Sequence, residues 1–296
     1  MQTSKFSTTG SIACLLALSC LSSLSQNAIA YQLSVSSSNP KQGETIEVIV
    51  QDTAAVAGQT NSQNIQTGKT PPVVHFNNAD LQTFTGDGGN NFHTLLSVPA
   101  DLKPGEYPVT VDGDSKTLTV KAGLFPVQKL TLPKSKDNFE ASPGEIEAVN
   151  KAKETLSQTR SWNKSFTVPS KARISSVFGM RRIVNGKLLD DYFHSGIDYA
   201  GHMGSPVYAT APGTVILATR GYKLHGNIIA IDHGQGVVSF YLHLQQFTVK
   251  LGEKVKAGQE IGKVGQTGRA SGPHLHFSIY VNKVAANPTY WYSKVY

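Results

Sequence analysis

Short runs of β-branched residues, separated at close intervals by turn residues, are the feature that most constrains this fold. The segments 31–35 and 45–50 cluster or alternate Val, Ile and Thr, which is typical of strands. Clusters of Gly, Pro and Asn at 39–43 and 103–106 separate such runs. Strands at this spacing fit a β-sandwich. We therefore predict a mainly β chain in which residues 31–125 form an Ig-like β-sandwich.

The next segment, residues 126–172, is predicted to be a connector that begins extended and contains one helix. Ser142, Pro143 and Glu145 form a helix start, with Ser as N-cap, Pro at the first helical position and Glu three residues after the cap. Apolar residues then recur near helical spacing, so the helix should run over about 143–159. Its simplest role is that of a spacer between two domains.

Residues 173–296 return to a β pattern with Gly at close intervals. Two similar phrases, beginning at Gly204 and Gly252, each lead through a Val to a second Gly. Short strands with Gly at the corners are what a compact barrel or sandwich of hairpins requires. This half is predicted to be an antiparallel β barrel/sandwich hybrid.

The first thirty residues have the pattern of a signal peptide. Lys5 precedes an apolar run over 12–24, and Ala28-Ile29-Ala30 is a small-x-small cleavage pattern. We expect cleavage before Tyr31 and export to the periplasm, the cell envelope or the exterior. A membrane anchor is the alternative, but the run is too short to cross about 30 Å of hydrocarbon, so no transmembrane segment is expected in the mature chain.

Both cysteines of the chain lie in this leader. The mature chain then has no disulfide, and any metal must be bound by His, Asp or Glu. Residues 31–125 carry five Lys against nine Asp and Glu, whereas 126–296 carry 21 Lys and Arg against 11 Asp and Glu. A basic exported half suggests a polyanionic surface such as the cell wall or lipid headgroups; the equal alternative is that the charge only keeps the domain soluble. Export and the lack of a basic run with interleaved aromatics argue against nucleic acid.

Seven of the nine histidines lie between His194 and His276. On a strand, His274 and His276 would point to one face, so two imidazoles could face one pocket; a solvent-exposed polar face is the alternative. His194 and Asp198 would be about 13 Å apart on a straight strand, too far for one ion. A bend at Ser195-Gly196 could bring them together.

A His–Asp pair plus one of the paired histidines would make three ligands and leave a fourth position for water, as a catalytic zinc site requires. His243 lies in an apolar run. A lone His in such a run is more often a hydrogen-bonded core residue than a catalyst, unless it faces the same pocket.

Taken in order, these phrases resemble the lysostaphin/LytM-type M23 metallopeptidases over roughly residues 173–288. The matching phrases are Phe178–Arg181, His194-x3-Asp198, Ile231–Gly234, Tyr241–Leu244, Gly265–Gly268 and Gly272–Phe277.

The resemblance implies one Zn²⁺ per chain, bound by His194, Asp198 and His276. It implies that His243 and His274 are catalytic without binding the metal. It further implies a secreted endopeptidase that hydrolyses peptide cross-links of peptidoglycan, with stem peptides as substrate and other cell-wall enzymes as further partners.

Two positions depart from the family's pattern: His225 stands where Tyr is common, and Gly201-His202-Met203 stands where small residues and Pro are usual. His202 and His233 are interpreted as structural or surface residues.

Two other functions compete. Some relatives have lost ligands and serve as non-catalytic, LytM-like wall-binding proteins that activate another cell-wall hydrolase, but the ligand set implied here is intact. The Gly-containing phrases also resemble carrier domains. A lipoyl or biotinyl carrier needs a modified Lys on a hairpin tip, and none has suitable neighbours. A phosphocarrier would work in the cytoplasm, which the leader contradicts.

Overall fold

The computed structural model describes residues 31–53, 70–86, 89, 91–133 and 140–296. The predicted leader, residues 1–30, lies outside the described residues. Strands dominate the described part of the chain, which confirms the mainly β class. None of the described helices is long and apolar enough to span a bilayer.

The described residues of the N-terminal module contain eight strands that form two antiparallel four-stranded sheets, in the orders β1-β2-β6-β5 and β4-β3-β7-β8. The strands are β1 Tyr31–Val35, β2 Thr45–Asp52, β3 Val73–Phe76, β4 Ala79–Gln82, β5 Phe84–Thr85, β6 Asn91–Ser97, β7 Gly105–Val111 and β8 Asp114–Val120. Alternate residues of β2, including Val48 and Val50, meet Val109 and Leu118 of the other sheet in one core. The two sheets are thus packed face to face; the Ig-like topology stays a prediction.

The rest of the chain adds fourteen described strands and two helices. They are β9 Val127–Leu130, α1 Glu145–Lys153, β10 Arg173–Ser176, β11 Arg181–Val184, β12 Lys187–Leu188, β13 Ile197–Ala200, β14 Pro206–Tyr208, β15 Gly213–Tyr222, β16 Gly226–Gly234, β17 Val237–Leu244, β18 Gln246–Phe247, β19 Lys254–Val255, β20 Glu260–Lys263, β21 Leu275–Val281, β22 Val284–Ala286 and α2 Pro288–Trp291.

The principal sheet is antiparallel, with the order β10-β13-β21-β17-β16-β15-β19 and β22 beside β21. It is an open path, and the described strands do not close into a barrel. Both faces are covered instead. Along β16, Ile229 and Ile231 enter one core, whereas Ile228 and Ala230 enter a second core on the opposite face. A sheet buried on both sides needs no closure to hide its apolar residues.

The predicted connector packs against this sheet. Its Trp162 and Phe166 lie in the first core with Trp291 of α2. Val149 and Ala152 of α1 lie in the second core. The prediction that the helix is a spacer was therefore wrong, because its apolar stripe covers one face of the sheet. The boundaries 126–172 and 173–296 stay a prediction.

Helix α1 differs from the prediction at both ends. Its N-cap is Gly144, in a left-handed conformation with φ 74° and no side-chain cap, because the Ser142 hydroxyl instead accepts from the Lys223 backbone N–H at 3.0 Å. The helix ends at Lys153 rather than near 159. Beyond this end, the Ser157 carbonyl accepts from the Gln235 backbone N–H at 2.6 Å, so the segment bonds to the β16–β17 turn.

The N-terminal module contacts the C-terminal half through β6 and the β1–β2 loop. The Asn282 side-chain amide donates to the Leu95 carbonyl at 2.8 Å. The Asn287 backbone N–H donates to the Gly43 carbonyl at 2.8 Å. Leu95 also lies in the core of the principal sheet. The module is docked rather than tethered.

Candidate metal centre

Three side chains meet at the end of β13 and β21. Asp198 and His276 are direct cross-strand partners of these two strands, so their side chains emerge side by side. His194 precedes β13, and the chain bends at Gly196. A Cβ at Gly196 would lie 2.1 Å from the Phe277 carbonyl oxygen, so only glycine allows the bend this close to β21. We call His194, Asp198 and His276 the ligand trio, after the metal-binding role that the sequence predicts for them.

The donor atoms of the ligand trio converge on one point. The His194 Nε2 lies 3.0 Å from the Asp198 Oδ1 and 2.9 Å from the His276 Nδ1, and these last two atoms are 2.9 Å apart. All three residues are buried. Ligand atoms about 2.0–2.1 Å from one tetrahedral zinc would lie roughly 3.3 Å from each other. The ligand trio thus stands about as close together as one such ion requires.

A hydrogen bond behind each donor fixes its direction. The His194 Nδ1–H donates to the Val177 carbonyl at 2.9 Å, and the His276 Nε2–H donates to the Ser278 Oγ at 2.7 Å. Each bond leaves the lone pair of the other ring nitrogen pointing into the site. The Arg182 Nη2 donates to the Asp198 Oδ2 at 3.0 Å. Such outer partners are a usual feature of metal-binding imidazoles and carboxylates.

The protonation states also suit a cation. Burial opposes the ionisation of Asp198, but the adjacent His194 and His276 hold its pKa well below its usual range. Burial lowers the pKa of His276 to about 4, against the raising effect of Asp198. The site therefore presents a carboxylate and a neutral imidazole at neutral pH, which is the state in which these groups bind metals.

Two more histidines, which we call the outer histidines, face the ligand trio. The His243 Nδ1–H donates to the Thr267 carbonyl at 2.9 Å, and the His274 Nδ1–H donates to the Gly272 carbonyl at 2.8 Å. Their ring centroids are 4.8 Å apart. The His274 Nε2 lies 3.8 Å from the Asp198 Oδ1. This distance is too long for a hydrogen bond, but it is short enough for His274 to reach a molecule bound at the same centre.

His243 has an unusual backbone conformation. Its φ is 60°, which for a residue other than glycine costs on the order of 1–3 kcal/mol. Its backbone N–H donates to the His225 carbonyl at 3.1 Å, which holds the residue in place. Burial lowers the pKa of His243 well below its usual value, and His274 and His276 lower it further. This backbone conformation points the neutral imidazole of His243, near the end of β17, toward the ligand trio.

The ligand trio and the outer histidines lie in one cleft of about 370 Å³. The connector forms part of its wall through Gln128, Leu130 and Leu132. These residues belong to β9 and its continuation, and β9 pairs in parallel with β11. No described residue of 31–125 lines the cleft. The docked module therefore does not narrow the cleft directly.

His225 lies on the cleft rim, held by a buried carboxylate. Glu145, the first residue of α1, accepts from the backbone N–H of Ser142 at 2.6 Å and from that of Leu224 at 3.1 Å. It also accepts from the backbone N–H and the Nδ1–H of His225, both at 2.7 Å. Burial would raise the pKa of Glu145, but the bonds from His225 and Ser142 lower it. Burial also lowers the pKa of His225, so a neutral imidazole donates to an ionised carboxylate.

The remaining two histidines of this half lie elsewhere. His233 is fully buried, its Nδ1–H donates to the Pro212 carbonyl at 2.7 Å, and burial lowers its pKa to about 4. His202 is exposed on a loop. Sequence reasoning placed neither in the metal centre, and it did not identify Arg182, Glu145 or Gln128 as part of the site.

The fold and the site together define a mainly β protein with a buried His–Asp–His group that could hold a metal ion. Residues 192–288 match the family model described as Peptidase family M23, and this part of the chain belongs to that family.

Curated relatives match part of the chain. The peptidoglycan DD-endopeptidase ShyA of Vibrio cholerae is 43% identical over 118 residues, which are 39% of this chain and 26% of that protein. The DD-carboxypeptidase/endopeptidase Mpg of Neisseria meningitidis shows 43% identity over 118 residues, with the same coverage of 39% and 26%. The chain thus spans about a quarter of the length of these relatives.

A solved structure extends the likeness beyond this part. A Pseudomonas aeruginosa protein assigned to peptidase M23 is 26% identical with a TM-score of 0.60, and the match covers 86% of this chain and 95% of that one. The N-terminal module is thus part of the shared architecture.

Proposed function

We propose that this chain is an exported zinc endopeptidase that hydrolyses peptide cross-links of peptidoglycan. The observation that carries the proposal is the convergence of three ligand atoms beside two further histidines in one cleft. The export step rests on the leader pattern, which predicts the periplasm or cell envelope. The names of the two relatives supply the substrate class, because both are called endopeptidases and one is named for peptidoglycan.

The donor set favours zinc. Two imidazoles and one carboxylate in a buried, three-ligand arrangement are typical of catalytic zinc sites, which keep a fourth position for water. When bound, zinc lowers the pKa of that water and polarises the scissile carbonyl. His194, Asp198 and His276 are the residues that would hold the ion.

The outer histidines would transfer the protons that hydrolysis requires. Each donates its Nδ1–H to a backbone carbonyl, which leaves its Nε2 to accept or donate a proton toward the cleft. Hydrolysis needs one group to take a proton and return it to the leaving amine, and one to stabilise the oxyanion. We assign these two tasks to His243 and His274 as a pair.

A second candidate is a non-catalytic wall-binding protein that activates another hydrolase. The test uses residues 31–296 loaded with zinc and incubated with purified sacculi, followed by mass spectrometry of the muropeptides. Cross-linked dimers should decrease and their monomeric products should accumulate. The control is His243→Ala at equal zinc content, which should leave the dimers intact. Unchanged dimers with a stoichiometrically loaded wild-type protein would favour the second candidate.

A further inference from the structure

A second cleft adjoins the metal cleft. It has a volume of about 720 Å³ and shares Ala200 and Pro273 with the metal cleft. Its ionisable lining residues other than Tyr208 are Lys171, Arg173 and His202. No Asp or Glu is among the described residues that line it. A concave surface with cations and no carboxylate selects negatively charged groups.

The two basic side chains are not neutralised by the protein. Lys171 and Arg173 are exposed, and neither forms an ion pair with a carboxylate of the residues that the structure describes. Arg182 in the metal cleft differs, because it is already bonded to Asp198. The second cleft therefore offers two exposed cations that no described carboxylate neutralises.

Strand β10 connects the two clefts. Arg173 pairs with Ala200, and Ser176 pairs with Asp198 of the ligand trio. Three residues of strand span roughly 10 Å, which is also the length of about three residues of an extended peptide. If the cut peptide bond lies at the metal centre, a residue two to three positions along the same substrate would lie in the second cleft.

The loop Gly201-His202-Met203, where the sequence departs from the family's pattern, forms another part of the lining of the second cleft. The Gly204 backbone N–H donates to the Val264 carbonyl at 2.8 Å, and the Ser205 backbone N–H donates to the His202 carbonyl at 3.0 Å. Gly204 has φ 81°, a conformation that glycine adopts without strain. These bonds hold His202 and the half-exposed Met203 beside the two basic residues.

We infer that the second cleft binds a free carboxylate of the substrate, two to three residues from the bond that is cut. The inference rests on the proposed function, because stem peptides carry free carboxylates on glutamate and diaminopimelate residues. The Arg173 guanidinium can hold a carboxylate through two parallel hydrogen bonds, and Lys171 adds a second charge. The cleft would select for charged over amidated stem peptides.

The test pairs two substrates with two variants. A soluble cross-linked stem peptide is prepared with free carboxylates and with the same carboxylates amidated. Arg173→Gln and Lys171→Gln/Arg173→Gln are compared with wild type and with Lys256→Gln, a change at an exposed lysine outside both clefts. The double variant should raise KM for the free peptide by about fivefold to tenfold with little change in kcat. The amidated peptide should show no such difference between wild type and variants.

Two further measurements make the result decisive. Equal zinc content would exclude an indirect effect on the metal centre, and the KM difference should shrink at high salt. An equal loss for both peptides, or no loss for the free peptide, would overturn the inference. Calorimetry separates it from the proposed function: binding that depends on the carboxylates but is followed by no hydrolysis would overturn the endopeptidase and retain the cleft.

Discussion

Replacing Ser278 by alanine should weaken zinc binding without touching a ligand. The Ser278 hydroxyl accepts the Nε2–H of His276 at 2.7 Å and thereby keeps the Nδ1 lone pair directed at the site. Without it, the imidazole can turn or change tautomer, and a buried N–H loses its acceptor. Loss of such an outer partner typically weakens metal binding by 10- to 100-fold. We expect about tenfold, because the lost partner is uncharged.

Ser239→Ala is a matched control in the same sheet. The Ser239 hydroxyl donates to the Nε2 of His233 at 2.8 Å, because the single N–H of this neutral imidazole already donates from Nδ1 to the Pro212 carbonyl. The change therefore also removes one buried hydrogen bond between a serine and an imidazole. Both serines are buried, with exposures of 0% for Ser239 and 2% for Ser278. They lie on opposite faces of the sheet, because Ser239 neighbours Tyr241 whereas Ser278 pairs with Phe240 of the second core.

Each variant should lose roughly 1–3 kcal/mol of unfolding free energy in the metal-free state, measured by urea denaturation. Only Ser278→Ala should lose zinc affinity, measured by competition with a chromogenic chelator. An unchanged zinc affinity in Ser278→Ala, or an equal loss in both variants, would refute the reasoning that this hydroxyl orients a ligand.

Four further outcomes are expected. Alanine at any member of the ligand trio should abolish both stoichiometric zinc and hydrolysis, which elemental analysis and the muropeptide assay would measure together. Alanine at either outer histidine should retain the zinc and lower kcat by roughly a hundredfold or more; loss of the metal would place that residue among the ligands. Glu145→Ala should lose roughly 2–4 kcal/mol of stability at neutral pH because several N–H groups lose their acceptor. The pKa of Glu145 in the folded protein is lowered from 4.5. Its stabilising contribution is therefore complete above pH 4.5, and the difference in stability between wild type and Glu145→Ala should narrow as the pH falls through the folded pKa. A chain starting at residue 127 should cut a soluble cross-linked peptide at the full-length rate at every salt concentration, because the docked module does not line the cleft; a faster rate would show that the module restricts access to the cleft.

The ligand trio could be predicted because its signals are local. Two histidines two residues apart predict a shared strand face, and Ser195-Gly196 predicts a bend. The structure places these side chains together; their roles as ligands stay a prediction. His243 was harder to place, since its apolar surroundings are those of a core residue and only its positive φ turns the ring into the cleft.

The contribution of the connector could not be predicted. The capping signature at Ser142 and Glu145 is present, but the same groups bond to the β15–β16 loop some eighty residues away. The Ser142 hydroxyl bonds to the Lys223 N–H instead of capping the helix, whereas Glu145 keeps its capping bond to the Ser142 N–H and accepts N–H groups of the loop as well. Likewise, an extended run at 127–130 shows no sign of its parallel partner, because parallel pairing leaves no short-range signal.

The position of β9 bears on how this fold can be recombined with other domains. The segment that matches the family, residues 192–288, excludes β9, α1 and Arg182, although these complete the cleft wall, clamp its rim and fix the Asp198 carboxylate. A chimeric protein built from the matched segment alone would carry the ligand trio without these supports. We therefore expect chimeras joined before residue 127 to keep these supports. Chimeras joined between residues 127 and 192 should lose some of them, whether they are made in the laboratory or by recombination between genes.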